Sequence, residues 1–221
     1  MKAMNYWKSL KDSFIISGLP TLCQVVSCSI VGYGLARYNF KGKNFIMGLI
    51  IFSFVLPSSL LMTTQYQMYT SFGWTGKLMT FIFPAILANG FKSQLFILIC
   101  WSFFKQIPPV LNEAAAIDGA GHFKSFFKIA LPLALPTVAT LAIFTFVTTW
   151  NSFMWPLIVT NSESMRTLPV GLAIYKGSFR EITLWGELLA CSVICTVPVI
   201  GVFLLGKKYF ISDILQGGVK E

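Results

Sequence analysis

Five stretches of this chain, roughly 13–36, 45–66, 79–104, 134–158 and 184–206, are each apolar and long enough to cross a lipid bilayer. A hydrocarbon core about 30 Å thick takes about 20 helical residues at 1.5 Å per residue. A backbone in lipid must satisfy its own hydrogen bonds, so only helices and closed barrels span it. The alternating, strand-length segments of a barrel are missing from the sequence. The predicted fold is therefore all-α, a polytopic bundle of about five membrane helices. Composition agrees: 55% of residues are hydrophobic and 11% charged, with a mean hydropathy of +0.71. Soluble domains carry roughly 25% charged residues. No internal repeat, low-complexity tract or linker divides residues 1–221, which read as a single transmembrane domain.

The formal net charge of +9 does not point to nucleic acid, because the cations sit in loops and gather on no single face. Arg37, Lys41 and Lys43 crowd the first loop, Lys105, Lys124 and Lys128 flank the loop near the chain's middle, and Lys207 and Lys208 follow the last span. By the positive-inside rule those loops and the C-terminal tail are cytoplasmic. Lys77 and a loop over 159–183 with Arg166, Lys176 and Arg180 fall on the opposite side. Trp74, Trp155 and Trp185 lie near predicted outer ends and Trp101 near an inner one, as in an aromatic belt. Asn89-Gly90 interrupts the third span, with Lys92 just beyond. That stretch is either one interrupted helix or a short external helix followed by a tilted one. Pro57, Pro84 and Pro198 lie inside spans and permit kinks.

Residues 113–136 form a polar, Ala/Gly-rich patch between apolar runs. Pro108 and Pro109 can open a helix, since proline at the first helical position loses no hydrogen bond. Ala114, Ala115 and Ala116 favour helix with almost no bulk, so another backbone can approach closely. Gly119 and Gly121 supply permissive backbone for a reversal. Phe123, Phe126, Phe127 and Ala130 then follow helical spacing, predicting an apolar stripe that anchors a second helix. The prediction is a short helix–turn–helix elbow.

The elbow resembles the cytoplasmic coupling loop of bacterial ABC-importer permeases, whose pattern is E-A-A, three residues, G, then I-x-L-P. Glu113, Ala114, Ala115, Gly119, Ile129, Leu131 and Pro132 fall in register, and Asp118 precedes the glycine as in sugar permeases. Gly32-Tyr-Gly-Leu-Ala-Arg37, Phe40-Lys-Gly-Lys43, Trp150-Asn151, Thr167–Leu172 and Gly217–Lys220 further resemble the maltodextrin-type second permeases of that group. The resemblance implies a permease subunit in a bacterial inner membrane that translocates a sugar, a di- or oligosaccharide, delivered by an external binding protein. Its implied partners are a cytoplasmic ABC ATPase dimer, a second permease and the lipid membrane. ATP and Mg would be held by the ATPase, with no cofactor in this chain. Glu113 would make charged or capping contacts, Ala114 and Ala115 the close packing, and Gly119 the turn, with Asp118 and Ala120 in the same coupling loop to the ATPase. Such permeases usually have six spans. Five spans with a cytoplasmic tail put the basic segment Met1–Lys11 outside, so a first transmembrane helix is expected to be missing from this chain. Nor does the N-terminus read as a cleavable signal, for its apolar run is too long and ends in no small-x-small site.

Catalytic chemistry finds little material. Of eight acidic residues only Glu187 falls within a predicted span, in a first helical turn where the dipole favours a carboxylate. His122, the one histidine, reads as a solvated turn residue. Cys23, Cys28, Cys100, Cys191 and Cys195 all lie in spans and read as packing residues, without metal-site spacing. Gly201–Lys208 nearly spells a phosphate-binding loop, but Lys208 replaces the required hydroxyl and the run is a membrane segment. Asn151 beside Trp150 offers the amide and aromatic plate that sugars require, and so could line the pathway. Hydrogen bonding between helices accounts for Asn151 equally well. Import of glycerol phosphate or another polar solute is the nearest alternative. An ion-coupled secondary transporter, which would need intramembrane charge relays beyond Glu187 and Lys92, and a membrane enzyme are more distant ones.

Overall fold

The computed structural model describes residues 5–117, 119–160, 165–178 and 185–218. All regular structure among them is helical. The longest central element is α1 (Tyr6–Arg37), 32 residues and about 48 Å long. Its buried face carries Ser9, Ser13, Ser17, Thr21, Gln24, Cys28 and Gly32, at steps of three and four. Its exposed face carries Leu19, Leu22, Val26 and Ile30. This is amphipathicity turned inside out: in lipid, small and polar residues bring helices together because apolar side chains gain nothing by leaving the acyl chains.

Around α1 pack α4 (Met79–Ile86), α5 (Ser93–Gln106), α9 (Leu135–Trp150) and α11 (Leu168–Ser178), and α12 (Trp185–Gly218) packs on α9. Helices α1 and α5 approach closely at Gly32, where an added Cβ would stand 2.5 Å from the Cys100 Cβ and 3.0 Å from the Trp101 backbone nitrogen. The main core gathers beside it, from Cys28, Tyr33, Phe96, Cys100, Phe104 and Phe126.

Two helices, Tyr6–Arg37 and Leu188–Lys208 within α12, are long and apolar enough to cross a membrane unaided. Among the described residues three helix pairs, each bent by more than 40°, pass the same test together, which makes up to five spans if each pair is counted as one. The predicted span 45–66, in which Pro57 permits a kink, is one of these. It divides into α2 (Lys43–Val55) and α3 (Ser58–Ser71), bent by 101°. The cause is local: a residue before proline is pushed out of the helical region, and Leu56 before Pro57 is extended, at ψ 127°. Ile107 before Pro108 is extended for the same reason, at ψ 129°. There α5 turns by 78° into α6 (Pro109–Ile117). A third bend, 79°, separates His122–Leu133 from α9. The predicted span 134–158 accordingly ends at Trp150, and a separate α10 (Met154–Val159) follows.

The predicted span 79–104 is interrupted, as Asn89-Gly90 implied. Helix α4 is only eight residues, α5 begins at Ser93, and between them Ala88 and Lys92 take φ of 53° and 56°. That left-handed backbone costs a residue with a Cβ about 1–2 kcal/mol, and α1 holds it in place. The Gln24 Nε2 donates to the Phe91 carbonyl at 2.8 Å and the Ser27 Oγ to the Ala85 carbonyl at 2.6 Å. At the other end of α1, the Ser13 Oγ accepts the Leu168 amide at 2.8 Å, anchoring the Thr167–Leu172 stretch.

Gly32→Val should therefore cost about 1–3 kcal/mol by overpacking, read as earlier loss of monodisperse protein on heating in detergent. Gly34→Ala, which meets open space, should be neutral. Equal behaviour of the two variants would contradict the close α1–α5 contact.

Candidate coupling site

The elbow is built as its residue types require at one end and differently at the other. Helix α6 starts at Pro109 and ends in a glycine cap: Gly119 has φ 73°, and the Ala120 amide donates to the Ala115 carbonyl at 2.8 Å. This six-to-one bond closes an otherwise orphaned carbonyl, and the left-handed residue inside it is one that glycine adopts without a Cβ penalty. Gly121 is different. It has φ −67° and ψ 168°, extended backbone that any residue adopts, and it precedes α7 (His122–Ser125) as the N-cap.

Beyond α7 the chain makes a π-helical turn, Phe126–Ala130, before α8 (Leu131–Leu133). The wider turn changes which residues face inward. Phe126 and Ala130 are buried, at 4% and 1% exposure, whereas Phe123 is 74% and Phe127 52% exposed. Two of the three phenylalanines of the predicted anchor thus point away from the bundle. Ala115 departs from expectation in the opposite sense. It is buried within the chain, whereas Glu113, Ala114, Ile117 and Gly119 are exposed. Asp118 lies outside the described residues, as do the side chains of Ala116 and Glu187.

Two joints tie the elbow to the end of α1. The Arg37 Nη2 donates to the Ile107 carbonyl at 2.7 Å, immediately before the two prolines that start α6. A charged hydrogen bond of this kind contributes about 1.5–3 kcal/mol. On the other arm, Tyr38 meets His122 edge-on with centroids 5.0 Å apart, and Tyr33 meets Phe126 at 5.1 Å. Burial, then the neighbouring Tyr33, pushes the Tyr38 phenol above its usual range, so it stays neutral at physiological pH. The two arms also touch each other, with Ser125 Oγ 3.3 Å from Asn112 Oδ1. None of Tyr33, Arg37 and Tyr38 had a role assigned from the sequence. The signal was the Gly32–Arg37 stretch, which ends α1 with an arginine facing the next turn.

The two candidate pathway residues are separated. Trp150 is 3% exposed, its ring against Phe14 at 4.9 Å and Phe146 at 5.5 Å. Asn151 is exposed at the C-cap of α9. Only the amide is open to a solute. The glycine-lysine run at 201–208 lies inside α12, with its amides in the helix ladder.

The bundle has counterparts among known proteins. The family described as "Binding-protein-dependent transport system inner membrane component" matches residues 29–213. The chain belongs to this family. Among its relatives is the trehalose/maltose transport system permease MalG of Thermococcus litoralis, 36% identical over 215 residues, covering 96% of this chain and 74% of the relative. The arabinooligosaccharides permease AraQ of Halalkalibacterium halodurans is 36% identical over 223 residues, covering 97% and 75%. The sn-glycerol-3-phosphate permease UgpE of Yersinia enterocolitica is 27% identical over 207 residues, covering 94% and 72%. The fold also matches a chain in the crystal structure of a bacterial ABC transporter involved in import of the acidic polysaccharide alginate. That match has a TM-score of 0.77 at 20% identity, covering 92% of this chain and 75% of that one.

Substituting Gly119 by valine should destabilise the cap by about 1 kcal/mol or more and speed amide exchange in α6 about five-fold. Gly121→Ala should leave exchange unchanged. Hydrogen exchange with mass spectrometry separates the two, and indifference of α6 to both would contradict the cap.

Proposed function

We propose that this inner-membrane component is one permease of an ATP-driven importer for a sugar, and that a cytoplasmic ATPase grips it at Pro109–Ala120. The sugar assignment is supported by the relatives named for maltose, trehalose and arabinooligosaccharide transport. Orientation is supported by the arginine and lysines around the elbow, which the positive-inside rule puts in the cytoplasm together with the C-terminal end. The observation that carries the docking assignment is the form of the elbow. A capped helix exposes Glu113, Ala114 and Ile117, the last at 87%, while both arms behind it are fixed to α1.

In this reading the ATPase pair binds ATP and Mg, and its closure pushes on α6. The push passes through Ile107 to Arg37 and through Phe126 and His122 to Tyr33 and Tyr38, so that α1 moves with the elbow. Because α1 touches α4, α5, α9 and α11, one rigid body carries the motion against the second permease. Driving a two-state equilibrium from 1:99 to 99:1 takes about 5.5 kcal/mol of differential binding, and a frayed or loosely hinged loop would dissipate it. A binding protein on the opposite face delivers the solute. Of the residues first assigned to the contact, Glu113 and Ala114 remain available to the ATPase; Ala115 supports α6 from behind.

Ile117→Asp and Ala114→Arg should leave the amount of protein in the membrane unchanged. Each should lower co-purification of the ATPase about ten-fold or more, as central contacts do, and abolish solute-stimulated ATP hydrolysis. Undiminished ATPase binding in both variants would overturn the docking assignment.

A further inference from the structure

The break between α4 and α5 lies deep in the bundle. From Ser93 to Gln106, α5 is 14 residues, about 21 Å of helix. Its last turn carries Lys105, whose Nζ sits 4.9 Å from the Trp101 ring in the manner of an interface anchor. About 20 Å of helix thus separates the break from the anchored end, which for a helix along the membrane normal lies well inside a hydrocarbon core about 30 Å thick, and α4 continues beyond it. A second helix agrees. Phe144 is nine residues along α9 from Leu135, about 14 Å from the same end, and the Lys92 Nζ stands 5.8 Å from its ring.

Lipid does not tolerate what the break presents. Irregular backbone and polar side chains at this depth occur only where they are packed in protein or line a wet cavity. The inward side is packed, through Gln24 and Ser27. The outward side exposes Asn89 and Lys92. Phe91 and Phe144, residues 44% and 40% exposed, flank Lys92, each ring centroid 5.8 Å from its Nζ. Among the described residues no carboxylate pairs with this ammonium.

We propose that this surface is a solute-binding patch on the translocation path, and that it takes a carbohydrate bearing a carboxylate, sulfonate or phosphate group. Exposed rings stack on the C–H face of a sugar. An ammonium with no carboxylate beside it among the described residues, in a low-dielectric surround, strongly favours an anion, and as a compact point charge it accepts any of those acids. Asn89 adds an amide for hydroxyls. The positive-φ backbone at residue 92 directs the lysine out of the α5 helix and towards α9. The proposal rests on the permease reading above and names the chemical class of its solute.

The test needs neither ATP nor coupling, so its failure is distinct from failure of the docking assignment. Asn89→Cys is labelled in the importer in membrane vesicles with anionic sulfonatoethyl and cationic trimethylammonioethyl methanethiosulfonate. Modification is read on the peptide by mass spectrometry, so the native cysteines do not interfere. Phe144→Cys, on regular helix, serves if the first variant fails to insert. Both reagents should react, the anionic one about five-fold faster or more, and adding Lys92→Gln should abolish that preference. Millimolar digalacturonate should slow labelling and maltose should not. No reaction with either reagent, or a preference unchanged by Lys92→Gln, would overturn the patch. Equal protection by maltose, or protection by neither sugar, would overturn the acidic class.

Discussion

A helix that breaks inside a membrane leaves carbonyls and amides facing a solvent that cannot bond them, and in this chain one neighbouring helix supplies the partners. Gln24 and Ser27 of α1 satisfy carbonyls around the α4–α5 break, Arg37 satisfies the carbonyl where α5 turns into the elbow, and Ser13 holds the amide that begins α11. An unbonded backbone group in hydrocarbon costs several kcal/mol. These side chains therefore decide where the bundle is allowed to bend. The polar face of α1 is thus a spine, and the bends are located by it as much as by the prolines that cause them.

That arrangement joins the two sites proposed above. The same helix that packs behind the break at membrane depth ends in the arginine and tyrosine pair that fix the elbow. Force applied to α6 need not travel along a loop, because α5 and α1 run side by side between the two places and touch at Gly32 without a side chain between them. Exposed Phe123, on α7, and Phe127, in the π turn, extend the apolar surface beyond α6.

Much of this was legible in the residues. Apolar runs of membrane length marked the spans, Asn89-Gly90 marked the interruption, and the Pro-Pro, Ala-Ala and Gly119 sequence marked a proline-started, glycine-ended helix. Each of these is a local signal, set by backbone sterics and length. What could not be read was which face of an apolar helix looks inward. Phe123 and Phe127 fit a helical stripe on paper, but a π turn shifts the register and no composition rule announces it. Ala115 and Ala114 are indistinguishable as letters, yet one is buried and the other open. Trp150 looked like a plate for a sugar and is a core residue. In α1 the signal was present but of the opposite sign from that of soluble proteins: serines, threonine, glutamine and glycine at steps of three and four mark the buried side.

The central claim is that elbow and spine move as one body, and spin-label distances test it most directly. One label at Val110 on α6 and another at Ile30 on the exposed face of α1 would be compared in the resting importer and in the ATP-trapped state. The account predicts an unchanged distance within this chain, together with a changed distance from Val110 to the second permease. A shift between Val110 and Ile30 on ATP binding would mean that the elbow swings on its own, and the lever described here would be wrong.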